Sequence, residues 1–235
     1  MHIARHQKIF VSRDTCLVSR VLLYFRHMRK YSVPWRDYFL LTINPVIRFM
    51  ILSDFIWISA MGLLSPIFAV FIIEDAIPGA TAATVGIAVS IYLITKSIVQ
   101  IFAASIIDWI RGEKDDFWIL FLFSVAAALL PLAYLFMETP AHLYAIQFFY
   151  GICIAFTFPT FMAIFSRHLD HAKEGTEWGI YFTLNDLGSA FTAFVGGVVA
   201  TFIGFDTLIM VSVLVSLAGV FVIYPVHYYL FGARR

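Results

Sequence analysis

Six runs of apolar residues, each long enough to cross a bilayer, follow one another between residues 50 and 230, and they leave the chain few ways to fold. About 20 residues at ~1.5 Å rise are needed to cover a hydrocarbon core of ~30 Å. The runs lie at about 50–73, 82–107, 117–137, 141–167, 178–203 and 206–230, the last two parted only by a turn around Gly204 and Asp206. They are continuous rather than alternating, so helices, not barrel strands, satisfy their backbones in lipid. Hydrophobic residues make up 61% of the chain, charged residues 13%, and the mean hydropathy is +0.88. The sequence therefore predicts an all-α integral membrane protein: a six-helix bundle at 49–232 behind a basic amphipathic leader at 1–48.

The basic residues orient the bundle. The leader holds nine Lys/Arg, and the loops at 108–116 and 167–177 and the C-terminus hold two each, so fifteen of the sixteen fall on one side. The other three loops offer only Glu74, Asp75, Glu138 and Asp206. By this reading the protein is a multi-pass cell-membrane protein with both termini in the cytoplasm. The net charge of +1 gives no reason to expect a nucleic-acid partner. Cys16 and Cys153 form neither a disulfide frame nor a metal-binding pattern.

Charge interrupts the apolar segments of the leader and no small-residue cleavage site follows, so it does not read as a cleavable signal peptide. Residues 16–31 mix Leu, Val and Phe with Arg20, Arg26, Arg29 and Lys30. Two readings stay open: an amphipathic helix on an anionic lipid face, or a basic tail that merely obeys the positive-inside rule.

A shift of 93 residues superposes Phe55 on Phe148, Trp57 on Tyr150, Pro66 on Pro159, Phe68 on Phe161, Gly86 on Gly179, and Ala103–Ala104 on Gly196–Gly197. The third and sixth spans add nothing to this pattern, and two readings stay open: chance matches in a chain built from few residue types, or two three-helix repeats, whose odd number of helices would invert the second copy in the membrane, as in secondary transporters. The loop AASIIDWIRGEK at 103–114 resembles the loop between helices two and three of the major facilitator superfamily. The Gly-rich stretch EGTEWGIYFTLNDLGSAFTAFVGGVVATFIGF at 174–205 is similar to that family's fifth helix. The likeness runs over about residues 48–232. Ala104 stands where the family usually has Gly, Trp109 replaces the Arg after Asp108, and Glu174 and Glu177 occupy positions where basic residues are common.

The resemblance implies a secondary carrier in which Asp108 latches the cytoplasmic side against a neighbouring helix terminus, with Arg111 and Lys114 engaging nearby acids or lipid phosphates. A solvated turn of mixed charge is the alternative for that loop. Family members normally have twelve helices in two halves and this chain has room for six, so a C2 homodimer is one expectation, and a fragment or a hetero-partner are others. In the family, helix two of one half packs against the fifth-helix equivalent of the other. Ser189, Ala193, Gly197 and Thr201 recur every fourth residue on the fifth span, a small-residue face that suits such a contact.

Tyr92, Lys96 and Gln100 share one stripe of the second span. Lys96 lies deep in the membrane, where a charge is costly and usually functional, and Asp186, beside Asn185, is its expected partner within or across the dimer. Asp54, six residues beyond Arg48, reads either as an acid at the mouth of its helix or as a protonatable carboxylate facing a cavity. Trp57, Tyr92, Tyr150 and Tyr181 are candidate cavity walls, and Pro66 and Pro159 are candidate hinges.

No catalytic constellation, metal site or phosphate-cradling Gly-Lys loop is legible, and no cofactor is implied. The expected function is alternating-access transport of a small solute, with proton coupling through Asp54 or Asp186. The competing expectation is a non-transporting membrane scaffold or regulatory subunit.

Overall fold

The computed structural model describes Leu40, residues 43–110 and residues 112–232, and it divides the chain into a unit at 1–42 and a unit at 43–235. The amphipathic segment at 16–31, and Arg111, lie outside the described residues. All the elements below belong to the second unit, and the described residues contain helices and no strand.

Six stretches are long and apolar enough to span a membrane: Pro45–Ala76, Ala82–Ile110, Glu113–Phe136, Pro140–His168, Glu174–Phe202 and Phe205–Gly232. Each overlaps a run expected from the sequence, with ends that differ from it by up to five residues. Helix α1 (Pro45–Leu64) starts on Asn44, whose side chain accepts from the Val46 N–H at 3.0 Å, with Pro45 in the first turn. Helix α4 (Pro140–His168) starts the same way, Thr139 accepting from the His142 N–H ahead of Pro140. Helix α2 is Ala82–Ile110 and α3 is Glu113–Leu129. Three acids of the charged loop, Glu113, Asp115 and Asp116, form the first turn of α3, where the helix dipole favours negative charge. Helix α5 (Glu174–Phe202) likewise opens on Glu174 and Glu177. It meets α6 (Phe205–Val222) through Gly204, whose φ of +104° lies in the left-handed region that glycine tolerates. A short helix, α7 (Tyr224–Gly232), follows.

The two intramembrane prolines behave differently. Pro66 lacks the N–H that would bond back to the preceding turn, and the α-helix ends there in a 3-10 segment, Ser65–Ile67, followed by a helical turn and a π-helical segment, Phe71–Ala76. Pro159 lies inside α4, which continues through it to His168.

Packing is exchanged between the two triplets of spans. Helix α1 packs chiefly on α5 and α6, whereas α4 packs chiefly on α2 and α3. Small residues permit these close approaches. A Cβ on Gly151 of α4 would lie 2.9 Å from the Tyr92 carbonyl oxygen of α2, and one on Gly219 of α6 would lie 3.0 Å from the Ser53 carbonyl oxygen of α1. Ser53 also donates its hydroxyl to the Gly219 carbonyl at 2.8 Å, which spares it an unpaired polar group in the core.

The bundle has two chemically distinct ends. One gathers the starts of α1, α3 and α5 and the ends of α2 and α4, with Arg48, Lys114, Arg167 and Lys173 among acids such as Asp108, Asp116 and Glu177. The other carries Glu74, Asp75, Glu138 and Asp206. We refer to them as the basic and acidic ends. Phe71, Ile72, Ile77, Met137, Leu143 and Ile209 pack into an apolar plug toward the acidic end.

Candidate functional site

Asp54 lies nine residues into α1, about 14 Å from its start at ~1.5 Å per residue. Its Oδ2 accepts from the Tyr181 hydroxyl at 2.7 Å and from the Asn185 Nδ2 at 3.3 Å, both from α5. The placement follows from the α1–α5 contact. Gly188, one turn beyond Asn185, sits against Ser59 and Phe55, and Gly62 sits against Ser189 and Thr192, so the two backbones run close enough for short side chains to meet. Tyr181 is 5% and Asn185 5% exposed, while Asp54 is partly exposed to a cavity of about 160 Å³.

That cavity is walled by Asp54, Trp57, Ser124, Thr157, Phe158 and Tyr181, among others, from α1, α3, α4 and α5. Toward the basic end, rings of Phe161, Phe165, Trp178 and Tyr181 stack at centroid distances of 4.6–5.8 Å. The cavity therefore combines one carboxylate, the hydroxyls of Ser53, Ser124, Thr157 and Tyr181, and several aromatic faces in an apolar surround. Asp54 thus lies nine residues into its helix and lines this cavity.

Lys96, on α2, points its Nζ over the Phe158 ring, 5.2 Å from the centroid. This is a cation–π contact with a ring that also walls the Asp54 cavity. Among the described residues, Arg167 forms an ion pair with Asp116, and neither Lys96 nor Asp186 takes part in one. Asp186 is exposed on α5, so within one chain the Lys96–Asp186 pair is not formed. Tyr92 stacks on Tyr150 at 5.5 Å, and the Tyr150 hydroxyl donates to the Met61 Sδ at 3.3 Å. Gln100, a turn beyond Lys96, is partly exposed.

Asp108 is exposed in the last turn of α2, and the Lys114 ammonium sits 4.6 Å from the Phe231 centroid of α7. On the fifth helix, Tyr181, Asn185, Gly188, Thr192 and Gly196 touch α1, with Ser189 at their edge. Ala193 and Gly197 are partly exposed and Thr201 fully so, and a Cβ on Gly197 would meet nothing within 4 Å. The small-residue stripe expected from the sequence thus runs beside the intrachain contact.

Several groups escaped sequence reasoning. Arg167 at the end of α4 donates to the Asp116 Oδ2 at 2.7 Å, and Asp116 is 1% exposed. Asn44 donates to the His168 carbonyl at 3.1 Å, and Glu177, fully buried, accepts from the Asp170 N–H at 3.1 Å. Together these bonds tie the starts of α1, α3 and α5 to the end of α4. The charged loop displays three acids in four positions, and nothing in the sequence says which faces Arg167, 51 residues away.

The family model described as Major Facilitator Superfamily matches residues 48–230. No curated protein matches the chain.

Proposed function

Because the chain belongs to the major facilitator superfamily, a family of membrane transporters, we propose that it is a secondary carrier that moves a small solute by alternating access, with Asp54 as its coupling carboxylate. The observation that carries this reading is Asp54 itself, which faces a cavity between helices and is oriented by two neutral donors, Tyr181 and Asn185. A carboxylate within the hydrocarbon layer is costly as a free ion, and no cation is within ion-pair distance of it among the described residues. Exchange of a proton or a cationic substrate at Asp54, while its cavity communicates with water, would then bias the bundle between its two arrangements.

The exchanged packing supports a duplicated unit. Under the 93-residue shift, buried Ala60 and Gly62 of α1 fall on buried Cys153 and Ala155 of α4. Thr95 and Ala103 of α2 fall on Gly188 and Gly196 of α5, and Leu120 and Ala127 of α3 fall on Val213 and Val220 of α6. Such a unit is one wall of a carrier, and a second copy of this chain is the proposed opposite wall. Helices α2 and α5 are the least buried spans and would face it, with Lys96 and Asp186 available to pair across the interface. The positive-inside rule puts the basic end, and with it Asp108, Lys114 and the Arg167–Asp116 pair, in the cytoplasm.

The test is accumulation by proteoliposomes. A solute found by screening to equilibrate through the wild-type protein should accumulate when a pH gradient is imposed. Asp54→Asn should preserve equilibration and lose gradient-driven accumulation. Undiminished accumulation by Asp54→Asn would refute the coupling role.

A further inference from the structure

A second cavity, of about 340 Å³, opens among the first four spans, Pro45–Ala76, Ala82–Ile110, Glu113–Phe136 and Pro140–His168, in the half of the bundle nearer the acidic end. Its order along the spans separates it from the Asp54 cavity: the first span contributes Met61 to Phe68 here and Ser53 to Ile58 there, and α4 contributes Gln147 and Tyr150 here and Ile154 to Phe161 there. Its chemistry is also different. Tyr92, Tyr134, Tyr150, Gln147 and Ser65 supply polar groups, and among the described residues no carboxylate, ammonium, guanidinium or imidazole lines it.

The polar groups of this wall are held but not used up. Gln147 (6% exposed) donates its Nε2 to the Tyr134 hydroxyl (8% exposed) at 3.1 Å. Tyr134 therefore accepts one bond and keeps its own O–H to give, while the Gln147 carbonyl oxygen has no partner among the described residues. The Tyr150 hydroxyl donates only to the Met61 thioether, a weak acceptor. Two aromatic pairs flank these groups, Tyr92 with Tyr150 and Phe68 with Tyr134, each with centroids 5.5 Å apart. A solute entering here meets ring faces and a buried donor–acceptor set, with no counter-charge to offset the desolvation of an ion.

From this geometry we infer that the cavity is a binding subsite for an uncharged, ring-shaped solute bearing hydroxyl or carbonyl groups. Tyr134 and Tyr150 donate to it, Gln147 accepts from it, and Tyr92 and Phe68 cover its faces. The inference goes beyond the coupling role of Asp54 and does not depend on it.

The experiment is equilibrium binding to the full chain in nanodiscs, with empty nanodiscs as the partition control. Resorcinol is the neutral probe, and 3-hydroxybenzoate and 3-hydroxybenzylammonium are its anionic and cationic counterparts. Resorcinol should bind saturably, and each charged counterpart should bind about tenfold more weakly or worse, because it must be desolvated without a partner. Tyr134→Phe and Gln147→Leu should each weaken resorcinol about tenfold, the usual effect of deleting one buried hydrogen-bond partner. Tyr150→Phe, which removes a single O–H, provides the same test should Gln147→Leu fail to fold. Resorcinol binding is read at equilibrium with no pH gradient, so loss of this subsite is visible separately from loss of proton coupling. Absence of saturable resorcinol binding, tighter binding of either charged probe, or undiminished affinity in the hydroxyl and amide variants overturns the proposal.

Discussion

Adjacent glycines on α5 should respond oppositely to the same one-carbon change. Gly196 lies against α1: a Cβ there would sit 2.9 Å from the Leu63 carbonyl carbon and 3.0 Å from its Cα, and nearer still to the carbonyl oxygen. Carbon–carbon contact is optimal at ~3.5–4.0 Å, so Gly196→Ala must push the two helices apart by about 0.5–1 Å. The obstacle is backbone, which cannot swing aside, and overpacking of this kind costs about 1–3 kcal/mol. A Cβ on Gly197 meets nothing within 4 Å. Both substitutions gain the same helix preference of alanine over glycine, about 0.5–1 kcal/mol, so that contribution cancels in the comparison. Gly196→Ala should therefore be less stable than Gly197→Ala by about 1–3 kcal/mol. Denaturation of the bicelle-embedded protein by titrated SDS, followed by tryptophan fluorescence, measures the difference. Equal stabilities would show that the α1–α5 seam is looser than described. The reverse order would mean that α5 is rotated by one residue, ~100° about its axis, and would undo the assignment of Tyr181 and Asn185 to Asp54.

Lys96→Ala should abolish solute flux while membrane insertion and pairing of copies persist; flux at unaltered affinity would remove Lys96 from the mechanism. Arg167→Ala leaves Asp116 buried without its partner and should cost roughly 1–3 kcal/mol in the same SDS titration, a figure reduced because Arg167 is 40% exposed. Adding Asp116→Asn to Arg167→Ala should restore part of that loss, and a neutral Arg167→Ala would show that the pair does not hold α3 to α4. Native mass measurement at low detergent should find two copies of the chain. A stable monomer, or a complex with a different chain, would exclude a second copy as the opposite wall.

The spans, their order and the segregation of charge were legible in the sequence because lipid acts on each ~20-residue stretch separately, and hydropathy is a local sum. Rotation of each helix about its axis was not legible. In water the apolar face of a helix must point inward, but in a bilayer Phe191 turned outward and Phe161 turned to the core are equally apolar choices. Packing alone settled that Gly188, Thr192 and Gly196 meet α1 while Gly197, one residue on, looks outward. The same rotation brought Tyr181 and Asn185 to Asp54, 127 and 131 residues away, and aimed Lys96 at Phe158 rather than at Asp186. What the sequence determined by itself was where charge and greasiness lie along the chain. Which polar groups meet was decided by the tertiary structure, because those meetings depend on helix rotation and close backbone approach, and neither leaves a local trace in a chain solvated by lipid.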